Sequence, residues 1–109
     1  MLHRETDIVT WAQARNLIGP TGEATREAQW KKTLEEVLEL QAAIATGNRD
    51  EARDAIGDII VTLVIQAYMW NLHIDECVEA AWQEIKDRKG KLINGVFVKE
   101  PQQLELPLA

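Results

Sequence analysis

Five carboxylates stand at spacings that can do chemistry. Glu35, Glu36 and Glu39 fall in Glu35-Glu36-Val37-Leu38-Glu39, and Asp54 and Asp58 lie four residues apart farther along. Positions three and four apart share a side of a helix, so each set presents its carboxylates together. Like charges so placed weaken a helix by about 0.2–0.5 kcal/mol per pair. One account is a solvated acidic face, with Lys31 and Lys32 one turn away as counterions. The other begins at Asp58, which abuts the apolar run Ile59-Ile60-Val61-Thr62-Leu63-Val64-Ile65. A carboxylate beside such a surface either pairs with a lysine or arginine of another helix or binds a metal. Two acidic clusters on adjacent antiparallel helices favour the metal. Hard oxygen ligands suit magnesium, or manganese in its place, ions that keep several waters and bridge to phosphates. Gly57 gives up about 1 kcal/mol of helix propensity beside Asp58, which points to a close approach there.

Other chemistries find no residues. A di-iron carboxylate bundle needs Glu-x-x-His pairs. Trp70 stands three before His73, and His3 has no residue at that position. His73 reads as a loop or capping histidine. No Ser-His-Asp set or phosphate-binding glycine loop is visible, and Cys77, near Val78 and Ala81, reads as a small buried residue.

The elements that must position these groups are helices. The 109 residues suffice for one domain with one core. Ile8, Trp11, Ala12, Ala14 and Leu17 predict a helix over about 5–18, ended by Gly19-Pro20. Trp30, Leu34, Val37, Leu38 and Ile44 give an apolar side to a second, over 25–46, closed by Gly47-Asn48. A third over 50–71 carries the β-branched run and is apolar nearly all round in its second half, so neighbours must cover it on several sides. Asp75 reads as the N-cap of a fourth, reaching about residue 89 with Val78, Ala81, Trp82 and Ile85. Asn94-Gly95 between β-prone runs predicts a short hairpin over 91–99. The expected fold is all-α, an antiparallel four-helix bundle over residues 1–100, followed by an extended tail over 101–109.

Composition narrows the partners. With 12 basic against 18 acidic residues the formal charge is -6, which argues against a grip on nucleic acid. A single cysteine excludes an internal disulfide and fits a reducing compartment. His3, Arg4, Glu5 and Asp7 near the start are not the pattern of a signal peptide, and the run Ile59 to Tyr68 is too short to cross a bilayer. The expected setting is the cytoplasm, with no membrane partner.

The acidic spacing resembles that of the MazG-like nucleotide pyrophosphohydrolases, whose signature is Glu-Glu-x-x-Glu on one helix and Glu-x-x-Asp on the next. Glu35, Glu36 and Glu39 match the first element, and Gly57-Asp58 before the apolar run matches the end of the second. The likeness covers about Gln29 to Glu100. Glu84-Ile85-Lys86-Asp87-Arg88-Lys89-Gly90-Lys91, then Asn94-Gly95-Val96-Phe97-Val98-Lys99-Glu100, is similar to the short single-domain members found in phages and prophages. One departure stands out: Ala55 occupies the place of the second element's glutamate, leaving Asp54 or Glu51 to supply that ligand.

The resemblance implies hydrolysis of a nucleoside or deoxynucleoside triphosphate to the monophosphate and pyrophosphate. Magnesium would be held by Glu36, Glu39, Asp58 and Asp54, while Glu35 positions or deprotonates the attacking water. Lys86, Arg88, Lys89 and Lys91 form the densest basic group, and Lys32 lies one turn before Glu36. Lys32, Lys86, Arg88 and Lys89 are candidates for phosphate binding, with a solvated helix terminus as the alternative for the last three. Trp30, Trp70 and Trp82 offer surfaces for the base or belong to the core. Family members are dimers or tetramers. Ala55 also leaves room for a weakened relative that binds nucleotide or acts as an adaptor.

The tail resembles the Gln-Leu-x-Leu-x-Leu peptides that dock on the bacterial DNA polymerase sliding clamp. Gln103, Leu104, Leu106 and Leu108 carry that likeness. Leucines folded back on the bundle or on a sister subunit are the alternative.

Overall fold

A computed structural model describes residues 2–101. The tail residues Gln103, Leu104, Leu106 and Leu108 lie outside them. Four helices and a hairpin follow in order: α1 (Glu5–Ala14), α2 (Arg26–Thr46), α3 (Arg49–Met69), α4 (Ile74–Ile85), β1 (Gly90–Ile93) and β2 (Val96–Lys99). The chain divides into two compact units, Met1–Val78 and Glu79–Ala109. The fold is all-α, as the periodicity predicts, with a short antiparallel hairpin near the C-terminus.

Capping chemistry sets the helix lengths. The Thr25 hydroxyl accepts from the Ala28 N–H at 3.1 Å, and the Asn48 side chain accepts from the Glu51 N–H at 3.1 Å. At the other ends three helices stop alike. Asn16, Gly47 and Asn71 adopt positive φ, and a 6→1 bond returns from Leu17 to Ala12, from Asn48 to Ala43 and from Leu72 to Ala67. Each is a Schellman closure. Hence α1 ends at Ala14 rather than at 18, and α3 at Met69 rather than at 71. The fourth helix starts at Ile74, so Asp75 sits in its first turn instead of capping it. It ends at Ile85 instead of 89, since Lys86, Asp87, Arg88 and Lys89 bring no apolar side chain to bury.

The first unit is built on α3. Ala12, Ile18 and Ile65 form its buried centre, with Ile8, Val9, Leu17, Val61, Tyr68 and Met69 packed around them. The second half of α3 is therefore covered, with Val64, Ile65 and Ala67 buried. Packing of α2 reverses the expectation. Its predicted apolar side, Trp30, Leu34, Val37, Leu38 and Ile44, is exposed. The buried face is Gln29, Thr33, Glu36 and Ala43. Polar bonds to α3 explain this choice: Gln29 Nε2 donates to the Thr62 carbonyl at 3.0 Å, and the Thr33 hydroxyl donates to the Thr62 hydroxyl at 3.0 Å. With Gln66 donating to the Arg26 carbonyl and Arg26 to that of Met69, these pairs fix an antiparallel register.

In the second unit β1 pairs with β2 from Gly90↔Lys99 to Ile93↔Val96. Asn94 and Gly95 between them both have positive φ, as a two-residue type I′ turn requires.

Candidate functional site

The α2–α3 register brings three of the predicted carboxylates together. One carboxylate oxygen from each of Glu36, Glu39 and Asp58 lies within 4.8 Å of the other two. Their burial differs from what the apolar run predicts. Asp58 is exposed, whereas Glu36 is only 7% exposed because it continues the buried stripe Gln29, Thr33, Glu36. Glu36 Oε2 is fully buried and has no hydrogen-bond partner. A buried, unpartnered carboxylate oxygen is costly until a proton or cation reaches it.

The electrostatics agree. Glu39 is held above the ordinary carboxyl value of 4.5, first because its protonated form can donate to Glu36, then by the Glu36 charge, slight burial and the Asp58 charge. Lys32, two turns before Glu39, opposes this. Its ammonium lies 3.2 Å from Glu35 Oε2 and 3.3 Å from Glu36 Oε1. Hydrogen bonds to Glu35 and then Glu36, with both charges, raise the Lys32 pKa above 10.5. The donor set fits a hard divalent cation: three carboxylates from two helices, one of them buried with a spare lone pair.

The remaining predicted residues lie elsewhere. Asp54 stands outside the triple, its side chain exposed and 4.0 Å from Arg53 Nε. Ala55 is buried and Glu51 exposed. Among the described residues no atom beyond the helix's own adjacent backbone lies within 4 Å of where a Cβ on Gly57 would be, so the close approach expected there is not seen. Glu35 is exposed and bonded to Lys32. Lys86, Arg88 and Lys89 belong to the second unit. There Arg88 Nη2 lies 3.9 Å from Glu84, and Arg88, Lys89 and Lys99 line a groove of about 630 Å3 together with Glu84, Asp87 and Glu100.

The model of the MazG nucleotide pyrophosphohydrolase domain matches residues 24–93. The chain belongs to that family. The chain is also 37% identical over 73 residues to an uncharacterized 18.2 kDa protein of the rep-hol intergenic region of Haemophilus phage HP1. That match covers 67% of this chain and 42% of the phage protein's length. No solved structure matches. The family is one of nucleotide pyrophosphohydrolases, typically dependent on metal.

Several residues that shape the first unit stand outside the acidic motifs. Gln29, Thr33 and Thr62 set the register, but polar residues inside apolar periodicity carry no separate signal. Glu5 is buried and accepts from the Ile74 N–H at 2.8 Å, with His73 Nδ1 at 3.5 Å. His73 is thus the loop histidine its position predicts. Cys77 is half-buried. Trp30, Trp70 and Trp82 are not core residues: each is more than half exposed, and Arg26 stacks on Trp70 at 3.7 Å.

Proposed function

We propose that the chain hydrolyses a nucleoside or deoxynucleoside triphosphate to the monophosphate and pyrophosphate, using magnesium or manganese. The observation that carries this reading is the meeting of Glu36, Glu39 and Asp58 around a buried oxygen without a partner. These three residues would hold the ion, which when bound neutralises phosphate charge and orients the substrate. Asp54, on the same helix as Asp58, is one candidate to complete the set through water.

The chain's own groups supply the rest. Water adds across the α–β phosphoanhydride, and the bond to the departing pyrophosphate breaks. Glu35 is the exposed base at the edge of the cluster, suited to orient that water or take its proton. Lys32 already bridges Glu35 and Glu36 and offers its ammonium to a phosphate oxygen. For Lys86, Arg88 and Lys89 the support is their charge in an otherwise acidic chain.

A homodimer or homotetramer belongs to the same reading. Its support is the exposed stripe Trp30, Leu34, Val37, Leu38 and Ile44, an apolar helix face left to water. No single helix among the described residues is long and apolar enough to cross a membrane, compatible with action in the cytoplasm of a bacterial cell, phage-infected or not.

The test is pyrophosphate release from a panel of NTPs and dNTPs with magnesium or manganese, wild type beside Glu39→Gln. Turnover that needs metal and collapses in the variant supports the enzyme. A chain that binds magnesium yet stays silent across the panel overturns it in favour of a nucleotide-binding adaptor.

A further inference from the structure

We infer that the groove between α1 and α3 beside Asp58 is the seat of the substrate's nucleobase, with Trp11 as its stacking residue. This assignment rests on the nucleotide-hydrolysis reading of the acidic cluster. The groove has a volume of about 580 Å3 and is lined by Arg4, Asp7, Ile8, Trp11, Asp58 and Val61. Ligand pockets commonly hold about 300–1,000 Å3.

Helical spacing builds this wall. Residues 4, 7, 8 and 11 follow the i, i+3, i+4, i+7 stripe of one helix face, and Asp58 and Val61 are three apart on the opposite helix. Ile8 and Val61 pack against the buried Ala12, Ile18 and Ile65, so the floor stands on the rigid part of the unit. Trp11 is 47% exposed, unusual for an indole on a helix that meets the core. Arg15 stacks on the ring at 4.3 Å from its centroid and donates to the Trp11 carbonyl at 3.1 Å. One side of the indole is thereby occupied, and the rest of it borders the groove.

Continuity with the cluster names the occupant. Asp58 is at once a member of the carboxylate triple and a wall of the groove. A ligand whose phosphates sit at the triple has its next group beside Ile8, Trp11 and Val61. Those side chains suit a flat aromatic ring, and the Arg4–Asp7 pair, 2.9 Å apart, offers a donor and an acceptor to the polar edge of a base.

Titration of the full chain with the four deoxynucleoside monophosphates, followed by calorimetry and by the indole N–H signals, tests this. Trp11→Leu is expected to weaken binding about tenfold, the scale of one base–aromatic stack, while Trp11→Phe restores most of it. Phe97→Leu, a change at an exposed aromatic residue of the hairpin, serves as the control. Circular dichroism and the magnesium shift in Tm report that the variants remain folded. If dNTP turnover proceeds and Trp11→Leu leaves both monophosphate affinity and KM unchanged, the base site is wrong and the hydrolase reading survives. Binding through Trp11 without pyrophosphate release leaves the base site standing and removes the hydrolase. A chain that neither binds nor hydrolyses nucleotides overturns both. Unchanged nucleotide affinity with an altered sedimentation coefficient in Trp11→Leu gives the groove to a second copy of the chain instead.

Discussion

The Thr33 hydroxyl donates to the Thr62 hydroxyl at 3.0 Å, and Thr62 in turn donates to the Ile59 carbonyl at 2.7 Å. Both threonines are buried, Thr33 three residues before Glu36 and Thr62 four after Asp58. This pair sets the register that places Glu36 and Glu39 opposite Asp58. Thr62→Val preserves the shape and removes the hydroxyl partner. It is expected to destabilise the chain by about 1 kcal/mol. Urea denaturation of the single variants and of Thr33→Val with Thr62→Val measures the coupling, and strict additivity of the two would contradict a shared bond.

Glu36→Gln separates stability from function. Glu36 Oε2 is buried without a partner, and Glu36 sits against two further carboxylates. Its ion pair with the exposed Lys32 contributes little in return. Neutralising it should raise the Tm of the metal-free chain while abolishing the rise produced by magnesium. A variant that loses Tm without metal and keeps the magnesium rise would rule out the cluster as the binding site.

The raised pKa of Glu39 gives metal binding a pH signature. A carboxyl held above its ordinary 4.5 binds its proton more tightly folded than unfolded. Its contribution to stability is therefore complete below about that value and is lost as pH rises through the elevated folded pKa. Metal-free stability should show this loss. Magnesium must displace the same proton, so its stabilisation grows over the same window and is accompanied by proton release. Calorimetry in two buffers of different ionisation enthalpy checks the release; its absence would count against Glu39 as a ligand.

Much of this arrangement is legible in the residues. Glu35, Glu36 and Glu39 at helical spacing marked the acidic face, and Asn94-Gly95 marked the hairpin turn. Periodicity places the helix stops two to four residues late, because Asn16 and Asn71 adopt the left-handed conformation otherwise expected of glycine. Periodicity also shows which residues share a side but not which side turns inward. The Trp30–Ile44 stripe is the apolar side of α2, yet hydrogen bonds from Gln29 and Thr33 hold the polar side against α3. For the same reason the buried carboxylate is Glu36 and not Asp58, and Trp11 borders a groove instead of filling the core.

Asp54 and Asp58 should separate in their effect on metal. Asp58 contributes an oxygen to the triple, while Asp54 is solvated beside Arg53. Asp58→Asn is expected to remove magnesium binding, and Asp54→Asn to weaken it less than about tenfold, the lower end for a residue acting through an outer shell. Equilibrium dialysis with manganese compares them directly. Equal losses would promote Asp54 to a direct ligand, in the place that Ala55 leaves without a carboxylate.

Gly57 tests what approaches the helix beside the cluster. Among the described residues a Cβ at this position meets no atom beyond the helix's own adjacent backbone, and its helical backbone suits alanine. Gly57→Ala should therefore stabilise the isolated chain by about 1 kcal/mol, through the helix propensity that glycine forgoes. In a domain of this size that amounts to a rise in Tm of roughly 4–8 °C. A sister subunit or a substrate seated against Asp58 would feel the added methyl group. Pyrophosphate release and sedimentation, measured on the same variant, then distinguish the two. Unchanged turnover and assembly with a higher Tm mean that the space at Gly57 is solvent, and lost turnover in a more stable chain means that substrate occupies it.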